Sequence, residues 1–150
     1  MEERVKISDI EIGVEASDWQ DAVRKTGEVL VRNGRVKPEY VEDMIETVHK
    51  LGPYIVLGPG LAMPHAKRGD RVLNSGVGIV TLKEPIFFGN KANDPVKVVV
   101  GLAGANDDIH LDIMQTIVEI FDDEKMVDVI AACKEEQQIA DIFNGNGGIL

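Results

Sequence analysis

The stretch VKVVVGLA, residues Val96 to Ala103, is an apolar run rich in β-branched valine. Such a run is typical of a strand that is buried on both faces of a sheet. Val77–Leu82 (VGIVTL) and Tyr54–Leu57 (YIVL) have the same character. Ile7–Val14 is a weaker candidate, because charged residues interrupt its alternation. The sequence therefore predicts a sheet built from these buried strands.

Two amphipathic helices are predicted among the first 53 residues. One begins at Asp18, an N-cap residue type, and ends near Asn33-Gly34, while the other begins at Pro38 and ends at Gly52-Pro53. The buried face of the first helix is expected to contain Trp19, Ala22, Val23, Thr26 and Leu30. The buried face of the second is expected to contain Val41, Met44, Ile45, Val48 and Leu51.

After Ala105 the apolar spacing is helical again and predicts three more helices. Their apolar faces contain Leu111, Met114, Val118 and Phe121, then Val127, Ile130 and Ala131, then Ile139, Ile142 and Phe143. Strands lying between helices predict an α/β fold, a single layered domain over residues 1–150 with a mixed β-sheet flanked by helices on both faces. The Gly/Asn-rich segment 144–150 is expected to be a flexible tail.

The net charge and the amino-acid composition limit which kinds of partner and which cellular compartment suit this protein. A net charge of −10 in 150 residues disfavours nucleic acid as a partner, because phosphate backbones are bound by clustered Lys and Arg. A basic protein partner suits this charge better. The single cysteine, Cys133, has no basic neighbour that would activate it, so we expect it to serve in packing. No apolar run approaches the roughly 18 residues of a membrane span and no secretion signal is evident, so we expect a cytoplasmic protein.

The segment GPGLAMPHA, residues 58–66, contains the strongest candidate for a reactive side chain. Its glycines and prolines make a stiff loop directly after a predicted strand, and Pro64 keeps Met63 in an extended conformation. His65 is thus expected to be held in place, which suits a transfer reaction because little orientational entropy remains to be lost. From spacing alone, an incidental histidine in a turn is an equally good interpretation.

Positive charge follows this histidine closely. Lys67, Arg68 and Arg71, with Asp70 among them, form a basic island in an acidic chain. Anionic groups are expected to gather there.

The chain has two further histidines, His110 and His49. His110 follows the capping residues Asn106 to Asp108 and shares a helical face with Met114 and Ile117, so it is expected to point inward near a helix N-terminus, where anions are favoured. A buried histidine with a purely structural hydrogen bond is the alternative. Taken alone, His49 is expected to be a surface residue near the end of its helix.

Three segments together resemble a known family. VKPEYVEDMI (36–45), GLAMPHA (60–66) and FFGNKANDPVKVVVGLAGANDDIHLDIMQTI (87–117) occur in the order found in the enzyme IIA component of the bacterial phosphoenolpyruvate-dependent sugar phosphotransferase system. The resemblance is to the mannitol/fructose type, and LGPYIVLGPGLAMPHA (51–66) is most similar to its ascorbate-type members. It extends over almost the whole chain.

The resemblance implies a phosphoryl carrier that needs no cofactor and no metal. His65 would accept a phosphoryl group from the histidine-containing phosphocarrier protein and donate it to a cysteine of a cognate IIB component, which serves the membrane IIC component during sugar uptake. His110 would stabilise the phosphoryl group. Better-known members have an arginine sixteen residues before the reactive histidine, where this chain has His49, so a guanidinium contact cannot be assumed. His49, Lys67 and Arg68 are the candidates for supporting the phosphoryl group, and Lys67 or Arg68 is expected to supply the missing charge.

Three alternatives stay open on sequence alone. The first is a regulatory IIA protein of the nitrogen-related branch, which signals by its phosphorylation state. The second is a zinc hydrolase that uses His49, His65 and His110, although their spacing matches no helix-based zinc motif. The third is a binding module without catalysis. The transported sugar, ascorbate or a related pentitol or hexitol, cannot be identified from this chain.

Overall fold

The computed structural model describes residues 5–67 and 69–145, apart from the side chains of Asp107 and His110. A 3₁₀ helix (Ile7–Asp9) precedes ten further elements, which are β1 (Ile10–Val14), α1 (Trp19–Arg32), α2 (Glu39–Leu51), β2 (Val56–Gly58), β3 (Leu61–Ala62), β4 (Gly76–Ile86), β5 (Val96–Ala103), α3 (Asp107–Phe121), α4 (Met126–Ala132) and α5 (Glu136–Phe143). The predicted α/β class is confirmed.

The strands form one mixed sheet in the order β1-β4-β5-β3-β2. The antiparallel pair β4 and β5 is near its centre, with β1 parallel to β4 and β3 parallel to β5, and β2 closes the edge antiparallel to β3. This order places β5 directly beside the chain segment that leads to His65.

Helices cover both faces of the sheet, as predicted. Alternate side chains of β5 enter different cores, Val99 and Ala103 on the side of α1 and α2, and Val98, Val100 and Leu102 on the side of α3, α4 and α5. Because both faces are buried, β5 has a nearly continuous apolar sequence, interrupted only by Lys97, and its predicted bounds are confirmed.

A pair of glycines lets α1 lie close to the sheet. Gly78 on β4 is the register partner of Gly101 on β5. A Cβ atom at Gly101 would lie 2.8 Å from Cγ2 of Thr26, and one at Gly78 would lie 3.2 Å from the carbonyl oxygen of Thr26. Larger residues at these positions would push α1 away from the sheet.

The predicted bounds of α1 and α2 are confirmed. Asp18 caps α1 by accepting a hydrogen bond from the Asp21 N–H at 2.8 Å, and Gly34, with a φ of 70°, follows its end. The prediction that Leu51 is buried is wrong, since this last residue of α2 is 59% exposed. It lines an open cavity beside the sheet.

Three strand predictions need correction. Tyr54 is exposed and precedes β2, which begins at Val56. β3 was not predicted, because two residues are too short to show a period. Ile7–Asp9 forms a 3₁₀ helix, because the Asp9 carboxylate accepts a hydrogen bond from the Lys6 N–H at 2.9 Å and closes a turn there.

The predicted buried face of α3 is only half right. Leu111 and Val118 are exposed, whereas Ile117 is buried. Met114 and Phe121 are partly buried against the core, as are Ile113 and Ile120. Apolar residues occur almost all round this helix, so the spacing alone could not select the face that packs.

The first residue of the predicted tail is anchored. The Asn144 side chain accepts a hydrogen bond from the Val5 N–H at 2.9 Å and donates one to the Val5 carbonyl at 2.8 Å. Gly145 is also described, whereas residues 146–150 of that tail lie outside the described residues.

A buried ion pair ties the start of β1 to the end of α1. Arg35 contacts the Asp9 carboxylate through Nε at 3.0 Å and Nη2 at 2.8 Å. The exposed fractions of the two side chains are 14% for Arg35 and 1% for Asp9. Arg35 also donates to the Ser75 carbonyl at 2.7 Å, next to the first residue of β4. Three distant segments therefore depend on one guanidinium group.

We predict that Arg35→Met lowers the free energy of unfolding by about 3 kcal/mol, because it leaves the Asp9 carboxylate buried without its counter-ion. The matched control is Arg32→Met, which removes the exposed pair of Arg32 with Glu11 (3.2 Å) and should cost less than about 1 kcal/mol. Urea denaturation of both variants measures the difference. Equal losses would contradict the importance of the buried pair.

Candidate functional site

His65 lies in a short segment that is fastened to the sheet on both sides. The Met63 N–H donates to the Ile55 carbonyl at 2.7 Å, and the Leu102 N–H donates to the Pro64 carbonyl at 3.0 Å. Met63, Pro64 and Ala66 are buried, whereas His65 is half-buried. The imidazole is therefore presented by a fixed backbone, as the glycines and prolines of this segment predicted.

The hydroxyl group of Tyr40 holds the residue after His65. The Ala66 N–H donates to Oη of Tyr40 at 3.1 Å, and Oη donates to the Leu102 carbonyl at 2.8 Å. Burial raises the pKa of Tyr40, and its hydrogen bond from the Ala66 backbone opposes part of that rise. The hydroxyl is thus protonated throughout the neutral range.

One ring nitrogen of His65 has a defined partner. Nδ1 lies 2.9 Å from the carbonyl oxygen of Met63. A carbonyl oxygen can only accept, so Nδ1 carries the proton of the neutral ring and Nε2 carries the lone pair. The site therefore contains an oriented imidazole with the lone pair of the neutral ring on Nε2.

His65 opens onto a cavity of about 950 Å³. Its wall is formed by α2 and by the segment that carries the histidine. The lining residues are Asp43, Glu46, Thr47, Lys50, Leu51, His65, Ala66 and Lys67. Asp43, Glu46, Thr47 and Lys50 were not identified as site residues from the sequence. They lie on the polar face of α2, whereas the sequence pattern marks only the apolar face of this helix.

Some charged side chains at the cavity form ion pairs with each other, and others do not. Nη1 of Arg71 contacts both oxygens of Asp43, at 2.6 and 2.7 Å, and this pairing raises the pKa of Arg71. Arg71 therefore pairs across to α2 instead of with its neighbour Asp70. Within the described residues, Lys50 and Lys67 have no carboxylate within 4.0 Å. These two lysines remain available to an anion.

The structure does not bring His49 to this cavity. The His49 ring packs against Trp19 on α1, with ring centroids 5.2 Å apart. The side chains of α2 on the cavity side include Thr47 and Lys50. His49 precedes Lys50 by one residue and follows Thr47 by two, which are rotations of about 100° and 200° around the helix axis, so its ring lies on the side of α2 that packs against Trp19 of α1.

Two of the predicted site residues are not fully described. His110 is in the first turn of α3, as expected, and Asn106 caps that helix by accepting a hydrogen bond from the Ile109 N–H at 3.0 Å. The His110 side chain lies outside the described part of the structure, as does the whole of Arg68. Their roles stay predictions.

Cys133 is a packing residue, as predicted. It is partly buried against the core on the side of α3 to α5, and its thiol donates to the Val129 carbonyl at 3.3 Å. Burial raises the pKa of this thiol, which disfavours a reactive thiolate.

A search of residues 5–67 and 69–145 finds no group of three or more His, Cys, Asp or Glu side chains placed to hold a metal ion. None of the helices in the same part of the chain has the length and apolarity of a membrane span.

Comparison with known proteins extends this picture. The family model described as "Phosphoenolpyruvate-dependent sugar phosphotransferase system, EIIA 2" matches residues 4–146. The ascorbate-specific PTS system EIIA component of Shigella boydii serotype 4 (strain Sb227) is 38% identical over 136 residues, which cover 90% of this chain and 88% of that protein.

Two solved structures are similar to this chain over nearly its full length. The crystal structure of IIA mannitol from Escherichia coli has a TM-score of 0.82 and 30% identity, covering 93% of this chain and 98% of that one. The complex of enzyme IIA and phosphorylated enzyme IIB for mannitol from Escherichia coli has a TM-score of 0.84 and 30% identity, covering 94% and 97%. On these matches over nearly its full length, the protein belongs to the EIIA 2 family of the phosphoenolpyruvate-dependent sugar phosphotransferase system, whose members transfer phosphoryl groups.

Proposed function

We propose that Nε2 of His65 accepts a phosphoryl group from the histidine-containing phosphocarrier protein and passes it to a cysteine of a cognate IIB component. The observation that carries this proposal is the 2.9 Å contact of Nδ1 with the Met63 carbonyl. It leaves the lone pair on Nε2 in the neutral ring. The proposal also identifies which nitrogen is phosphorylated.

Each transfer is a substitution at phosphorus. The Nε2 lone pair forms a new N–P bond while the N–P bond of the donor breaks and its electron pair returns to the donor imidazole. In the second step a cysteine thiolate of IIB attacks phosphorus, and the N–P bond electrons return to Nε2. Such a step needs positioning and charge stabilisation more than other chemistry.

Positive charge beside His65 supports this role. Lys50 and Lys67 line the same cavity as His65, and both are uncommitted among the described ion pairs. A phosphoryl group carries close to two negative charges at neutral pH. The two lysines therefore fit a bound phosphoryl group better than the paired Arg71 does.

We propose ascorbate, or a sugar acid close to it, as the transported substrate. The support is the ascorbate-specific relative at 38% identity. The membrane IIC component would contact the sugar, with this protein supplying the phosphoryl group through IIB in the cytoplasm.

We predict that His65→Ala is not labelled by radioactive phosphoenolpyruvate in the presence of enzyme I and the phosphocarrier protein, because the accepting nitrogen is absent. The matched control is His49→Ala, which removes an exposed histidine outside the cavity and should label like wild type. Gel autoradiography after acid-free work-up measures both. Persistent labelling of His65→Ala would overturn the assignment of the phosphorylated residue.

For His110→Ala we predict transfer that is roughly 10- to 100-fold slower, with phosphorylation still detectable, since one hydrogen-bond donor to the phosphoryl group would be lost. His110→Gln restores a donor and should recover part of the rate. Rapid-quench measurement of transfer to and from His65 is the test. Unchanged rates in both directions for His110→Ala would count against the stabilising role.

Transfer onward distinguishes uptake from regulation. The phosphorylated protein should pass its label to the IIB component of an ascorbate system faster than to the IIB component of a mannitol system. While the label is on histidine, it should be lost under acid conditions that hydrolyse phosphohistidine. After transfer to the IIB cysteine, the label should survive the same acid conditions. Incubation with each purified IIB measures this. Phosphorylation without transfer to any IIB would favour the regulatory alternative.

A further inference from the structure

The segment carrying His65 continues the parallel pairing of β3 with β5. The register pairs Leu61 with Val98 and Ala62 with Val99, and continuing this count brings His65 opposite Leu102. In a parallel pair of strands, the N–H and the C=O of one residue form hydrogen bonds with the residues just before and just after its partner on the neighbouring strand. The Leu102 N–H follows this pattern by donating to the Pro64 carbonyl at 3.0 Å.

The second hydrogen bond expected between Leu102 and the His65 segment is replaced by a bridge through the hydroxyl group of Tyr40. Oη of Tyr40 accepts from the Ala66 N–H at 3.1 Å and donates to the Leu102 carbonyl at 2.8 Å. A tyrosine hydroxyl has one proton to donate, so the longer approach of Oη to the Ala66 carbonyl, at 3.4 Å, cannot share it. Tyr40 is 1% exposed, so water does not compete for these contacts.

We propose that Tyr40 is a positioning residue for phosphoryl transfer, whose hydroxyl is a spacer inserted between the backbone of Ala66 and that of Leu102. The spacer keeps the peptide group after His65 farther from β5, whereas the peptide group before His65 is hydrogen-bonded directly to β5. His65 is thereby turned so that Nδ1 reaches the Met63 carbonyl and the ring lines the cavity. This inference rests on the proposed function of His65 and deepens it.

Removing the hydroxyl leaves two buried polar groups without their partner. The Ala66 N–H and the Leu102 carbonyl must then move together to pair directly, or stay unpaired at a cost. In both cases the backbone on one side of His65 shifts. The ring of Tyr40 stays in place in Tyr40→Phe, so the core keeps its packing.

The experiment compares Tyr40→Phe with wild type in transfer from the phosphocarrier protein and in ¹⁵N spectra of the His65 ring. We expect the maximal transfer rate to fall about tenfold or more while KM for the phosphocarrier protein stays within about twofold, because orientation is lost and the docking surface is not. We expect the wild-type ring to show protonated Nδ1, and the variant to show a shift toward the other tautomer.

The matched control is Thr81→Val. Thr81 is also a buried residue whose hydroxyl accepts a backbone N–H, that of Gly13 at 3.0 Å, but it serves the β1 side of the sheet. Its transfer rate and His65 spectrum should equal those of wild type. Equal slowing in both variants, or a wild-type rate and spectrum in Tyr40→Phe, would overturn the proposal.

Two further readouts separate the possible failures. If wild type itself is not phosphorylated, the proposed function fails, while the His65 spectrum of Tyr40→Phe still tests the positioning. If Tyr40→Phe does not fold, hydrogen exchange in wild type replaces it. The Ala66 amide should then exchange as slowly as the amides of β5, and rapid exchange would overturn the hydroxyl bridge.

Discussion

Backbone pairing with Leu102 is the constraint on which the site depends. The Leu102 N–H donates to the carbonyl of Pro64, the residue before His65. The Leu102 carbonyl is linked through the hydroxyl of Tyr40 to the N–H of Ala66, the residue after His65. Leu102 lies in β5, which is hydrogen-bonded to β4 on one side and β3 on the other. The two cores on either face of the sheet keep β5 in place, so the orientation of one imidazole depends on the centre of the fold. A strand at the edge of the sheet would be a poorer support.

The helix α2 supports the site from within and forms its outer wall. Tyr40, in its first turn, points into the core and reaches the backbone around His65, whereas Thr47 and Lys50 face the cavity. Seven positions, about two helical turns, separate Tyr40 from Thr47, so both lie on the side of α2 that faces the His65 segment. His49 is nine positions after Tyr40, about half a turn out of phase, and packs against Trp19 on the other side of the helix. Rigidity and charge at the site therefore come from different turns of the same element, and the nearest histidine in sequence lies on the side turned away from the cavity.

In the proposed phosphoryl relay, His65 would be a rigid nucleophile beside two long cationic side chains. His65 is held by its own Nδ1 contact and by its flanking peptides, so little orientational entropy is lost when a donor docks. Lys50 and Lys67 have long side chains that are not in ion pairs within the described structure, so under the proposed function they would be able to follow the phosphoryl group as it arrives and leaves. The net charge of −10 favours basic partners through long-range attraction, which raises association rates more than lifetimes. A short-lived complex is what a carrier between two partners requires.

The α/β class and the family could be predicted from the sequence, as could the bounds of α1, α2 and β5 and the stiff segment at His65. These features depend on local signals, namely capping residues, helical period, runs rich in β-branched residues and a motif of adjacent residues. Five features became visible only in the folded structure: the order of the sheet, the two-residue β3, the buried face of α3, the position of His49 outside the cavity and the contacts of Tyr40. Tyr40 and Leu102 are 62 positions apart in the chain. No local pattern encodes such a contact, because the hydrogen bond forms only after helix and sheet have packed together.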